Sequence, residues 1–156
     1  MKNATKTQWI ARVGFILTAL LIFYFSAQPS EESNALSDFI ARLLHIQLRD
    51  PNKRLSAQPL IFGLTLRKFA HMTVFGTLGI FAWLSLPETE PKWHRTLYAI
   101  AICYLYACFD EIHQTFVPER TGQFSDTLID LIGILLGIGI LLLIRHLHRR
   151  RLQNSL

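Results

Sequence analysis

The apolar residues of this chain fall into four long blocks separated by short polar segments. The blocks cover roughly residues 12–26, 66–86, 96–116 and 126–144. A helix needs about 20 mostly apolar residues to cross a bilayer, and the blocks approach or reach that length. The pattern therefore predicts an all-α polytopic membrane protein with four transmembrane helices, built as a single domain over residues 1–156.

An amphipathic segment lies between the first two blocks, over residues 31–45. Its apolar residues recur at the spacing of one helical face: Leu36, Phe39, Ile40, Leu43 and Leu44. We expect a helix on the same side of the membrane as the end of the first block, lying in the interface or covering the bundle. A plain connector with one apolar side is the alternative.

The distribution of positive charge predicts the orientation. The formal net charge is +5, and four arginines follow the last block closely: Arg145, Arg149, Arg150 and Arg151. Basic residues beside a span mark the cytoplasmic side, so residues 145–156 are predicted to form a cytoplasmic tail, with the N-terminus on the same side. A basic cluster next to an apolar segment favours contact with acidic lipid and argues against nucleic-acid binding.

With both termini inside, four separated polar stretches meet at the outer surface. They contain Gln28; Arg67, Lys68 and His71; Asp110, Glu111, His113, Gln114 and Arg120; and Asp126 and Asp130. Ionisable groups at membrane depth are expensive and indicate a functional site. The opposite halves of the blocks are nearly free of ionisable groups, which predicts that the site lies on the outer side alone.

Helical spacing predicts how these residues face one another. Asp110 shares a face with His113 and Gln114, whereas Glu111 is turned about 100° away. Asp110 lies below the interface and needs a cationic or hydrogen-bonding partner, which we expect among Arg67, Lys68, His71 and Arg120.

Asp126 and Asp130 form one stripe with Gly133 and Gly137 on the last block. Small residues let helix backbones approach closely in a membrane. The glycines should therefore pack against another helix and direct both carboxylates into the bundle.

Together these residues resemble the motif set of the VanZ-like family. The resemblance runs through Phe25-Ser-Ala-Gln28-Pro29, Arg67-Lys68-x-x-His71, Asp110-Glu111-x-His113-Gln114 with Pro118 and Arg120, and Ser125-Asp126-x-x-x-Asp130-x-x-Gly133. Members of that family are small membrane proteins, and its founding member is linked to teicoplanin resistance. The resemblance implies a place in the bacterial cytoplasmic (inner) membrane. Asp130 departs from the family pattern, in which asparagine is expected.

The first function that fits is recognition or modification of an amphiphilic, phosphate-bearing lipid or lipid-linked envelope molecule, with a role in teicoplanin-type resistance. It requires no metal or other cofactor, is compatible with a homo-oligomer, and leaves open whether the protein is an enzyme. Arginine suits bidentate contact with phosphate, and buried carboxyl or imidazole groups suit acid–base work. The expected substrate-binding residues are Arg67, Lys68, Gln114, Arg120, Gln28, Asp126 and Asp130, and the expected catalytic residues are Asp110, Glu111, His71 and His113.

Two alternatives remain at this point. One is a metal-dependent hydrolase or transferase with Asp110 and His113 as ligands, completed by His71, Asp126 or Asp130, although the chain has no HExxH motif. The other is a structural polar network that locks the helices together in a partner-binding membrane protein.

Overall fold

The computed structural model describes residues 4–29, 59–61, 64–120 and 122–154, together with Ser33, Ala35, Phe39 and Leu43. Four helices form a bundle: α1 (Lys6–Ser26), α2 (Leu66–Ser85), α3 (Lys92–Gln114) and α4 (Phe124–Asn154). A short antiparallel pair, β1 (Pro59–Ile61) and β2 (Leu64–Thr65), precedes α2. Within these ranges four long helices lie at the four predicted blocks, so the helical expectation is confirmed, whereas four membrane crossings stay a prediction. The β pair is an addition to the all-α expectation.

The helices extend beyond the apolar blocks at one end of the bundle. α1 begins at Lys6 because Thr5 and Gln8 form a capping box, in which each side chain accepts a hydrogen bond from the backbone N–H of the other. α4 continues to Asn154, so the described part of the predicted tail over residues 145–156 is helical, and its cytoplasmic location stays a prediction. The cause is local, since this segment has no glycine or proline and its arginines and leucines favour helix.

Most of the predicted amphipathic helix, over residues 31–45, lies outside the described residues. Ser33, Ala35, Phe39 and Leu43 are helical. The Ser33 N–H donates a hydrogen bond to the Pro29 carbonyl at 3.1 Å. Phe39 and Leu43 belong to the predicted apolar face, and they are 64% and 68% exposed.

The core lies where α2 meets the other three helices, and its most extensive packing is against α4. Phe75, Leu78 and Trp83 of α2 are fully buried, together with Cys103 of α3 and Ile134 of α4. Large apolar side chains also cover much of the outer surface, as expected where lipid is the solvent. Among the residues that the structure describes, two helical segments, Lys6–Ser26 and Phe124–Gln153, are long and apolar enough to cross a membrane.

Glycines set the close approach of α2 and α4. A Cβ at Gly133 would overlap the carbonyl oxygen of Met72, and one at Gly137 would overlap that of Gly76. A Cβ at Gly76 would in turn lie 2.9 Å from the Gly133 carbonyl oxygen. The predicted packing role of Gly133 and Gly137 is confirmed, and the opposing glycine on α2 was not anticipated.

Candidate functional site

One end of the bundle, which we term the polar end, gathers polar residues from all four helices. Here α1 ends, α2 begins, α3 ends and α4 begins. We define the polar cluster as Ser26, Arg67, Lys68, His71, Asp110, Glu111, Gln114, Arg120, Asp126 and Asp130. Most of the residues predicted for the site are therefore brought to one end of the fold.

Asp110 is held by hydrogen bonds from neutral side chains. Ser26 Oγ and Gln114 Nε2 each donate to Asp110 Oδ2 at 2.9 Å, and Gln114 Nε2 lies 3.4 Å from Ser26 Oγ. All three side chains are buried. The predicted face shared by Asp110 and Gln114 is confirmed, but neither hydrogen-bond donor was among the partners expected for Asp110.

Ser26 is the member of this group that sequence reasoning missed. It is the last residue of α1 and is 1% exposed. The signal was available in the sequence, because a small hydroxyl residue directly before the Gln28-Pro29 break lies at the same level as the end of α3.

The loop from α3 to α4 folds back over the polar end. The backbone N–H of Gln123 donates to Glu111 Oε1, and Glu119 adopts a left-handed conformation with φ of 61°. A Cβ at Gly122 would lie 2.8 Å from the Glu111 carbonyl oxygen, so this approach favours glycine. The turn directs Arg120 towards the end of α1.

Arg120 is buried, with 8% of its surface exposed, and only part of its guanidinium has a partner. Nη2 donates to the carbonyl oxygen of Phe25 at 2.9 Å. Nε and Nη1 are buried and have no hydrogen-bond partner among the described residues. Burial and the positive charge of Arg67 lower the pKa of Arg120 to about 10, so it remains protonated at neutral pH.

Arg67 is the second cation near this position. It is partly buried and interacts electrostatically with Asp126, Glu111 and Asp110, and also with Arg120. Within the part of the chain that the structure describes, its guanidinium has no hydrogen bond and no ion pair within 4 Å. Two arginines with unused donors thus lie beside carboxylates that are engaged elsewhere.

Four other predicted site residues pair across the α2–α4 interface. Lys68 Nζ donates to Asp126 Oδ1 at 2.7 Å, with side chains 32% and 34% exposed. His71 Nδ1 lies 3.7 Å from Asp130 Oδ1, and the Asp130 side chain is 2% exposed. One turn further along α4, Gly133 lies against the Met72 backbone, and this close approach of the two helices brings each side chain within reach of its partner.

The described contacts of Gln28 and His113 are with residues outside the polar cluster. Gln28 Nε2 reaches the carbonyl oxygen of Tyr24 in the preceding turn at 3.5 Å. The His113 ring packs against Phe23 of α1 with centroids 4.6 Å apart. Its Nδ1 is buried and has no hydrogen-bond partner among the described residues.

No set of three metal ligands is present in the described ranges. There, His, Cys, Asp and Glu side chains nowhere form a group of three or more that could hold a metal ion. The metal-dependent alternative therefore gains no support from this part of the chain.

The opposite end, which we term the basic end, contains a buried cation, Arg95. Arg95 is 4% exposed, its guanidinium lies 3.8 Å from the centre of the Trp83 ring, and Nη2 donates to the Trp83 carbonyl at 3.1 Å. The Trp83 indole N–H donates to Thr96 Oγ1 at 3.1 Å, and Arg145 lies 5.2 Å from the same ring. The third predicted block began at residue 96, whereas α3 begins at Lys92 and so carries Arg95 into the bundle.

Comparison with known proteins gives one result that covers most of the chain. A family model described as VanZ/LLP1 matches residues 13–145. The chain has no match among the curated proteins or the solved structures. The matched range contains all of the polar cluster.

Proposed function

The chain belongs to the VanZ-like family, and from this premise we propose that it recognises or modifies an amphiphilic, phosphate-bearing molecule of the bacterial cell envelope. All four helices cross the cytoplasmic membrane as a single domain. Both termini lie in the cytoplasm, as the basic residues near Lys6 and Arg145 favour. The polar end then faces the outer leaflet, where lipids and lipid-linked molecules are accessible.

The unpaired donors of Arg120 carry this proposal. A buried charged group costs free energy unless it is paired and hydrogen-bonded, yet Nε and Nη1 of Arg120 have no partner among the described residues. Nε and one terminal nitrogen of a guanidinium bind two oxygens of a phosphate in a fork-like geometry. The terminal nitrogen beside Nε is Nη2, which already donates to Phe25, so a phosphate would accept a hydrogen bond from Nε at one edge of the Arg120 guanidinium or from Nη1 at the other. In either position it would screen the repulsion between Arg120 and Arg67.

The other residues divide into supporting and reactive roles. Lys68 and Gln114 position the neighbouring carboxylates and lie close enough to the site to contribute donors. Glu111, Asp110, His71 and His113 are the candidate acids and bases if the bound molecule is also modified. A role in teicoplanin-type resistance would follow if that molecule belongs to the cell-wall pathway that glycopeptides block.

A structural role is the second candidate for part of the cluster. The bonds from Ser26 and Gln114 to Asp110 join α1 to α3, and the Lys68–Asp126 pair joins α2 to α4. Such contacts stabilise helix association by about 0.6 kcal/mol each on average. This candidate explains the paired residues and the bond from Arg120 to Phe25, but it leaves Arg67 and the other two nitrogens of Arg120 without a role.

The test is mass spectrometry of envelope lipids and lipid-linked glycans incubated with the purified protein in nanodiscs. A chemical change that requires the wild type and is lost in Glu111→Gln would make the protein an enzyme. A phosphate-bearing lipid that co-purifies with the wild type and is lost in Arg67→Ala and Arg120→Gln would support binding without chemistry.

The matched control is Arg151→Ala, because Arg151 is exposed near the end of α4, at the basic end. It should retain any bound lipid. Equal lipid retention by the wild type, Arg67→Ala and Arg120→Gln, with no chemical change, would overturn the proposal.

A further inference from the structure

A groove between α3 and α4 lies at the basic end, away from the polar cluster. Its volume is about 520 Å³, in the range of small-molecule sites. α3 contributes Lys92, Thr96, Leu97 and Ile100, and α4 contributes Leu142 and His146.

The chemistry of this groove changes along its length. Lys92 and His146 are exposed at the end of the groove nearest the start of α3, whereas Ile100 and Leu142 are partly buried against the core. The eight positions from Lys92 to Ile100 correspond to about 12 Å of helix rise. The groove thus runs from the Lys92 ammonium group and the His146 ring into an apolar channel, as a lipid headgroup and acyl chain would require.

The Thr96 hydroxyl has no free hydrogen-bonding capacity to offer to a molecule in this channel, because it is already bonded to protein groups. It accepts a hydrogen bond from the Trp83 indole N–H and donates to the Lys92 carbonyl at 2.9 Å. A methyl group is therefore what Thr96 can offer to a chain lying in the groove. Leu97, which is 55% exposed, continues that apolar surface.

The acids at this end already have partners of their own. Glu88 Oε1 lies 3.9 Å from Arg145 Nη2, and Glu90 Oε2 lies 3.4 Å from His94 Nδ1. Among the described residues, neither Lys92 nor His146 has an ion-pair partner. The next turn of α4 adds Arg149, so the mouth of the groove attracts negative charge.

We propose that this groove binds one anionic phospholipid of the surrounding leaflet, with its phosphate at Lys92 and His146 and an acyl chain along Leu97, Ile100 and Leu142. Basic pockets between membrane helices on the cytoplasmic side bind the headgroups of anionic lipids. The proposal uses the orientation stated above but none of the polar-cluster residues. It can therefore fail or succeed independently of the proposed function.

Fluorescence of Trp93 provides the test, because this side chain lines the groove and is 65% exposed. The full-length protein carrying Trp9→Phe is reconstituted in phosphatidylcholine, with small amounts of brominated phosphatidylglycerol or brominated phosphatidylcholine as the quencher. Enrichment at the groove should make the anionic quencher about tenfold more effective at low mole fraction. The Lys92→Gln/His146→Gln double variant should abolish that preference.

The matched control is Lys6→Gln/His148→Gln, which removes the same residue types from exposed positions at the same end but outside the groove. It should retain the preference. Leu97→Trp, read out by native mass spectrometry of retained lipid, fills the channel without changing charge and should reduce phosphatidylglycerol retention. Equal quenching by both lipids, or an equal loss in the control, would overturn the proposal in favour of general surface attraction.

Discussion

Ser26 Oγ donates a hydrogen bond to Asp110 Oδ2 at 2.9 Å, although the two residues are 84 positions apart in the chain. The bond joins the last residue of α1 to the last turns of α3. Both side chains are about 1% exposed, so water cannot replace the donor. Because Gln114 donates to the same oxygen, this contact fixes the Asp110 carboxyl group at the centre of the polar end.

Replacing Ser26 with alanine should therefore destabilise the protein by about 0.5–1.5 kcal/mol, since a buried acceptor loses one of its two donors. Thermal unfolding in detergent is the measurement. Ser85→Ala is the matched control, because the Ser85 hydroxyl donates to Ala82 of its own helix at 2.7 Å. A melting temperature lowered equally by both substitutions would show that the Ser26–Asp110 bond contributes no more to stability than a bond within one helix.

Gly133→Ala should separate α2 from α4, since the new methyl group would overlap the Met72 carbonyl oxygen. Overpacking of this kind costs about 1–3 kcal/mol. Gly139→Ala, on the same helix, would meet nothing within 4 Å and should be neutral or stabilising by up to about 1 kcal/mol through helix propensity. Thermal unfolding of the two variants side by side checks the contrast, and a similar loss in both would contradict it.

The sequence predicts the parts of this fold that depend on local patterns. The apolar blocks predict the helices, and the spacing of Gly133 and Gly137 predicts which face of α4 packs closely. The ends of the helices are not marked by the apolar blocks. The start of α1 is set by the capping box at Thr5, and the helix-favouring residues through Arg151 extend α4 past its apolar block.

Partner choice within the site could not be predicted. The sequence places Asp110, Arg67 and Arg120 at one end, but it does not say which side chain reaches which atom. The partners expected for Asp110 were cationic residues or His71, whereas its observed donors are Ser26 and Gln114. The turn at Glu119 and the packing of Arg95 against Trp83 are likewise tertiary features with no periodic signal.

Arg95→Lys should destabilise the basic end, because lysine cannot both stack on the Trp83 ring and reproduce the guanidinium hydrogen bond to its carbonyl. A loss of about 1–3 kcal/mol is expected for a buried group left without its partner. Thermal unfolding reports the change, as does the emission maximum of Trp83 in a Trp9→Phe/Trp93→Phe background. Arg149→Lys, at an exposed position of α4, should alter neither quantity. An Arg95→Lys protein with wild-type stability and emission would show that this contact contributes nothing.

The Lys68–Asp126 pair is the place where structural and binding roles can be separated. Both side chains are about one-third exposed, so the ion pair should contribute no more than about 1 kcal/mol and should weaken with salt. Lys68→Asp and Asp126→Lys should each lower the melting temperature, and the exchanged pair should recover most of the loss. If Lys68 also contacts the proposed phosphate, the exchanged protein will regain stability without regaining the retained lipid. Recovery of both would assign Lys68 to the bundle alone and leave Arg67 and Arg120 as the anion-binding residues.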